Sequence, residues 1–285
     1  MSDLNQTYAI LAKHIKTAEG RARIAATMTQ PLRVRRDYAS VARKAFYVEQ
    51  LPDGANPYYD KDVNVTAYKV SEDGQNIISV QKPARVQAEL FTIAANPEIS
   101  IEEVQRKRFD ALQRIVDQGR AQIGAEEDRK TFAVIDAVAS DPTTPNPTIN
   151  VTGNLTSNVL ADAWGNVETN DIRVANVFMN ARDYADLRKF DRDVLDPITQ
   201  ESLLKSGILA SLWGAKIITS RVVPVGTVYV LGEPEFAGRI PVARDLTVLS
   251  ADDNKARMIG FSMFETLGVV AYNPLAIQKI VITRV

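Results

Sequence analysis

Alternating apolar and polar positions divide the chain into short strands arranged around one long helical stretch. The run ELFTI, from Glu89, reads as a strand, and the helical pattern follows from about Ile101 to Ala139. Ser100 is the expected N-cap, with Glu103 three residues on to return the bond, and Ile99 and Val104 form a hydrophobic staple across it. Glu102 and Arg106, Glu103 and Lys107, and Asp110 and Arg114 are acid-first pairs four apart, each contributing about 0.2–0.5 kcal/mol on an exposed face. Apolar positions are sparser: Val104, Phe109, Leu112, Ile115, Val116 and Ile123, then Phe132, Ile135 and Val138. So thin a stripe predicts a helix that packs on one side only. If continuous it spans about 58 Å at 1.5 Å per residue, the dimensions of a spine rather than of a member of a closed core. Gly119 and Gly124 are expected to bend or break it.

Upstream, residues 1–53 read as an arm, with one short amphipathic helix from Leu4 to Ala18 and little apolar material for a core of its own. Next, Val63–Val70 and Ile77–Gln81 form strands around the polar turn SEDGQN, which predicts a β-hairpin. An isolated two-stranded hairpin is marginal in water, so this one must lean on its own domain or on a neighbouring subunit. After the spine, SDPTTPNPTINVTGNL marks a boundary near Ser140 to Leu155. An α/β region follows: strand VANVFMN, a helix capped by Asn180 with support from Asp183, then short strands in LWGAKIITS, TVYVLG and LTVLS. ARMIGFSMFETLGVVAYNPLAIQKIVITRV closes the pattern with strand runs on either side of YNP.

The chain has 285 residues, a net charge of -1 and a pI near 6.0, which argues against a dedicated nucleic-acid binder. The charge is unevenly spread. Nine Lys and Arg residues, among them Arg33, Arg35 and Arg36, face only Asp3, Glu19, Asp37 and Glu49 in the first fifty positions. The absence of cysteine removes disulfides, thiolate metal sites and cysteine nucleophiles. No apolar run has the length of a membrane span, and the beginning lacks a signal-peptide core. These features predict a soluble protein made in the cytoplasm.

Catalytic signatures are missing. His14, the single histidine, sits in the basic arm without a local acidic or serine partner. Asp191 and Asp193, the run Glu126, Glu127 and Asp128, and the pair Asp252 and Asp253 all read as solvated faces or polar turns. No phosphate loop, dinucleotide fingerprint, nucleophile elbow or zinc-protease helix is present, and Gly207 and Gly214 fit no phosphate-binding spacing. No catalytic residue, cofactor or metal site is expected.

Three stretches, taken in order, resemble the major capsid proteins of tailed double-stranded-DNA bacteriophages, the Hong Kong 97-type fold. They are the hairpin leading through RVQAELFTI and NPEISIEEV into the long helix; LLKSGILASLWGAKIITSRVVPVGTVYVLG; and FETLGVVAYNPLAIQKI. The resemblance implies an α+β fold: an N-terminal arm at 1–53, an extended hairpin loop at 54–84, a peripheral domain with the spine helix at 85–150, an axial α/β domain at 151–244, return strands of the peripheral domain at 245–272 and a C-terminal strand of the axial domain at 273–285. It further implies hexamers and pentamers of this chain in an icosahedral virion capsid around packaged DNA, contacted non-specifically. A portal and a separate scaffolding protein are the implied partners, and a decoration protein is left open. Tyr58, Tyr59, Tyr68 and Lys69 of the hairpin and Arg33, Arg35 and Arg36 of the arm are the candidate inter-subunit contacts.

Some members of the family weld subunits by a Lys to Asn isopeptide bond aided by a buried Glu. The strand ARMIGFSMF has neither Asn nor Glu, with Met263 where the acid is expected, so no such cross-link is predicted. Two other readings remain: an encapsulin-type shell around enzyme cargo, and a hydrolase using the carboxylates near Asp191.

Overall fold

Two six-stranded sheets share one long helix, in a computed structural model that describes residues 38–52, 54–60, 85–102, 110–190, 211–251 and 256–284. The strands, in chain order, are β1 (Tyr47–Gln50), β2 (Tyr58–Asp60), β3 (Arg85–Gln87), β4 (Leu90–Ala95), β5 (Glu98–Ser100), β6 (Ile149–Thr152), β7 (Val174–Met179), β8 (Ser211–Leu212), β9 (Ala215–Thr219), β10 (Thr227–Gly232), β11 (Gly238–Ser250), β12 (Met258–Gly268), β13 (Val270–Ala271) and β14 (Ile277–Thr283). The helices are α1 (Asp110–Ala139), α2 (Ser157–Glu168), α3 (Ala181–Leu187) and α4 (Pro234–Ala237), with short 3-10 turns at Ala42–Lys44 and Pro274–Ala276.

The first sheet has the order β1-β11-β12-β4, with β13 on β11 and β5 on β12. Its strand β1 comes from the arm and runs parallel to β11, pairing Tyr47 with Arg239 and Gln50 with Val242. Beyond residue 37, then, the arm is built into the fold, and Ala42, Ala45 and Phe46 are core residues. The second sheet has the order β6-β14-β10-β7-β9-β8. Its central strands are apolar at nearly every position, as a sheet covered on both faces requires. One covering layer is α2, whose Leu160, Ala163, Trp164 and Val167 recur at helical spacing on its buried face.

Helix α1 runs without interruption through Gly119 and Gly124. Neither glycine breaks it, because both serve close approach. A Cβ at Gly119 would come within 2.8 Å of the Met263 side chain, and one at Gly124 within 3.1 Å of Ser40 Cβ. The spine also enters the core more deeply than its thin stripe predicts. Ile123 packs with Ile93 and Met263 in a small cluster against the first sheet. Farther on, Phe132 and Ile135 join the main core, where the Phe132 ring stands edge-on to Phe178 at 5.4 Å and stacks on Tyr229 at 6.0 Å. Ser100 ends β5, opposite Met258; its proposed capping partner Glu103 and the staple residue Val104 lie outside the described residues. So do the two expected hairpin strands and the helix at Leu4–Ala18.

Asn180 caps α3 by accepting a bond from the Arg182 amide at 3.1 Å. Asp183 does not support this cap. It is fully buried and instead accepts bonds from the Gly226 amide at 2.8 Å and from Arg284 at 2.7 Å.

Candidate functional site

The arm is fastened where the two sheets and the spine meet. Asp128 of α1, with 0% of its surface exposed, accepts from the amides of Val41 and Ala42 at 3.0 and 2.8 Å and from Ser40 Oγ at 2.7 Å. It also accepts from the Tyr38 hydroxyl. That hydroxyl lies 2.7 Å from Ser220 Oγ, just past β9, and Arg221 stacks over the ring at 4.6 Å. Burial, reinforced by the bond to Asp128, pushes the Tyr38 phenol well above its ordinary range. One carboxylate on the spine thus gathers the Tyr38–Ala42 segment of the arm beside both sheets.

One turn of sequence away, Arg43 serves three acids. Its Nε donates to Glu127 at 2.9 Å, and its Nη2 reaches Asp245 and Glu265, both at 3.3 Å. Glu127 and Glu265 are 3% and 2% exposed, while Asp245 opens to solvent. Burial raises Glu127, opposed by Arg43. In Glu265, burial and then the neighbouring charge of Glu127 lift the carboxyl to about 7.

This geometry corrects two sequence readings. The run Glu126, Glu127 and Asp128 is not a solvated face: Glu126 pairs with Arg129 near the surface, but Glu127 and Asp128 point inward. The strand expected to lack an acid extends to Gly268 and carries Glu265 two residues beyond Met263, on the same buried face. Half of the ground for setting a cross-link aside therefore falls, although Glu265 is engaged by Arg43. Strict alternation in Met263-Phe264-Glu265-Thr266-Leu267 was the signal that pointed Glu265 inward.

At the hairpin base, β2 and β3 form a two-stranded ribbon, with Tyr58 opposite Gln87 and Asp60 opposite Arg85. Its two tyrosines part company. Tyr59 is tied to its own subunit: its hydroxyl donates to Glu49 at 3.0 Å, and Arg239, itself bonded to Glu49 at 3.1 Å, lies over its ring at 5.2 Å. Burial, aided by that bond, raises its phenol. Tyr58 on the opposite face is 55% exposed. Tyr68, Lys69, Arg33, Arg35 and Arg36 lie outside the described residues, as do His14, Asp191, Asp193, Asp252 and Asp253.

A third cluster joins spine and second sheet. Asp136 accepts from Tyr229 at 2.7 Å and pairs with Lys279 at 2.6 Å. Beside it, the Asn146 amide donates to the carbonyls of Leu275 and Ile277 at 2.8 and 3.2 Å, holding the entry to β14. Among the described residues no group of acids or histidine is arranged to hold a metal, and no helix is long and apolar enough to cross a membrane.

Residues 26–282 match the Phage capsid family. No curated protein matches in sequence. Among solved structures, the capsid of cyanophage P-SCSP1u superposes with a TM-score of 0.66 at 14% identity, over 90% of this chain and 92% of that one. The mature capsid of bacteriophage PhiM1 gives 0.66 at 12% identity, over 90% and 91%. The capsid of an empty GTA particle gives 0.63 at 14% identity, over 92% and 98%.

Proposed function

The chain belongs to the phage capsid family, a structural protein of virion shells that works by associating with copies of itself, and we propose that it does so as hexamers and pentamers around a double-stranded DNA genome. In this reading each subunit lays its hairpin across a neighbour. The observation that carries it is the ribbon β2–β3, which joins neither sheet and turns its exposed Tyr58 face away from the residues that tie Tyr59 down. A two-stranded ribbon is marginal alone, and a second copy supplies the missing layer. Tyr58, Tyr68 and Lys69 are the proposed hairpin contacts, with Arg33, Arg35 and Arg36 as contacts of the arm.

The net charge of -1 suits a container from which DNA must be released, since phosphate affinity grows with clustered cations. Contact with the genome is accordingly non-specific and weak. Assembly in the host cytoplasm with a portal and a separate scaffolding protein completes the proposal. Its test is electron microscopy of purified particles combined with nuclease protection. Closed icosahedral particles holding long protected DNA are expected. Particles that enclose an enzyme instead favour the encapsulin-type reading, and failure to form shells with or without a scaffolding partner overturns both.

A further inference from the structure

We propose that Trp213 and Arg173, at one edge of the second sheet, dock onto the proline-rich segment Asp141–Pro147 of a neighbouring copy of this chain. The inference rests on the capsid reading above and adds which two surfaces meet.

Trp213 sits at the tip of the β8–β9 hairpin with φ +49, followed by Gly214 at φ +87. Two consecutive left-handed residues make a tight hairpin turn, for which Asn-Gly is the ordinary choice. A bulky residue in the first position costs about 1–2 kcal/mol. The chain bears that strain to present an indole that is 46% exposed. The ring is also held still, standing edge to face with the buried Trp164 at 5.3 Å and 88°, so little side-chain freedom remains to be lost on docking. Beside it, Arg173 Nη2 lies 3.1 Å from the position a Cβ would take on Gly214. This guanidinium is exposed and has no ion-pair partner among the described residues. A rigid exposed Trp next to an unpaired Arg is the composition of an interface anchor.

The sheet topology supplies the complementary patch. Strands β6, β14, β7 and β9 all run in the same direction, because β6 is parallel to β14, β7 is parallel to β9, and β10 is antiparallel to both β14 and β7. Arg173 directly precedes β7, Trp213 and Gly214 directly precede β9, and residues 140–148 directly precede β6. All three therefore lie at the same end of the sheet. They do not lie at the same edge: β8 and β6 are its opposite margins, about 24 Å apart at the usual strand spacing. No subunit can join these patches within itself. Between copies, two different patches at one height on opposite edges make a head-to-tail contact, which a rotation repeats until a ring closes.

The two patches also match in chemistry. Asp141 is exposed, and both of its bonds, from the Thr143 amide and hydroxyl at 2.8 and 2.7 Å, fall on Oδ1. Oδ2 is left for the guanidinium. Pro142, Pro145 and Pro147 are exposed and offer the indole stiff apolar surface with no amide donor to desolvate.

The experiment uses full-length subunits, with any assembly partner they need, and reads the concentration at which sedimenting capsomers and shells appear. Arg173→Glu and Asp141→Arg should each raise that concentration about tenfold, as loss of an anchoring contact does, and the double variant should return it to near the wild-type value. Trp213→Ser should have an effect at least as large; if it misfolds, the charge exchange still decides. Single charge variants that assemble like wild type, or a double variant no better than the singles, would overturn the inference. Wild-type chains that never assemble would instead sink the capsid reading itself.

Discussion

Replacing Arg43 with methionine keeps the aliphatic stem and removes the one cation facing Glu127 and Glu265 among the described residues. Both acids then lose their compensation while staying buried. Breaking a buried pair in this way costs about 3–5 kcal/mol, toward the lower figure here because Asp245 leaves the cluster open to water on one side. The penalty must also depend on pH. Glu265 titrates near 7 in the fold against an ordinary value of 4.5, raised by burial and then by Glu127. The folded chain thus holds a proton that the unfolded chain releases. The associated stability is complete below about pH 4.5 and is lost as pH rises through 7. At about 1.4 kcal/mol per unit, ionising Glu265 costs the fold on the order of 3 kcal/mol by pH 8. Without Arg43 both acids shift further upward, so R43M should lose about 3 kcal/mol or more near pH 8 and much less near pH 5, where the Glu265 carboxyl is neutral. Urea unfolding of unassembled subunits, followed by tryptophan fluorescence at the two pH values, measures the difference. A loss below about 1 kcal/mol near pH 8, or equal losses at both, refutes the reasoning. Adding E265Q to R43M should restore part of the stability at the higher pH.

Three further outcomes follow from the other clusters. Arg284 binds Asp183 at 2.7 Å and Asp186 at 2.9 Å, so R284A should cost about 3 kcal/mol in the same assay; R284K should recover only part, since lysine lacks the planar fork. Burial pushes the Asp136 carboxyl up, but the bonds from Lys279 and Tyr229 outweigh it and hold the group below the usual carboxylate range. Its contribution is therefore present above the ordinary value of 3.8 and lost as pH falls through the depressed one; D136N should flatten the acid limb of a stability profile, and an unchanged limb counts against that assignment. N146A strands the carbonyls of Leu275 and Ile277 and should lower the melting temperature, with a cost of about 1–3 kcal/mol.

The spine and the apolar strands were legible because each carries its own period: VANVFM and TVYVLG mark β7 and β10, and the run ending at Ala139 marks α1. The buried polar chemistry was harder to read. In GAEEDRK, three adjacent acids look alike, yet a helix turns each by about 100°, and only the neighbours contributed by the arm and by β12 decide which of them goes inside. Arg43 gave no local sign of its role, since its partners Glu127, Asp245 and Glu265 are scattered over the sequence. Gly119 and Gly124 misled for a related reason: glycine weakens a helix locally, and the reason to accept it, space for Met263 and Ser40, lies on other elements. Tyr58 and Tyr59 are neighbours in sequence but occupy opposite faces of one strand, so alternation separates a bound side chain from a free one that composition treats as equals.

The placement of β14 has a consequence for the timing of biosynthesis. This strand lies between β6 and β10, and it brings Lys279 to Asp136 and Gln278 to the Pro147 carbonyl. Strand β1 likewise waits for β11 before it has anything to pair with. Until residues 277–283 are available, the second sheet is split and the segment before β6 is unpinned. A nascent chain that stops short of them therefore has no settled segment before β6 to offer a copy of itself.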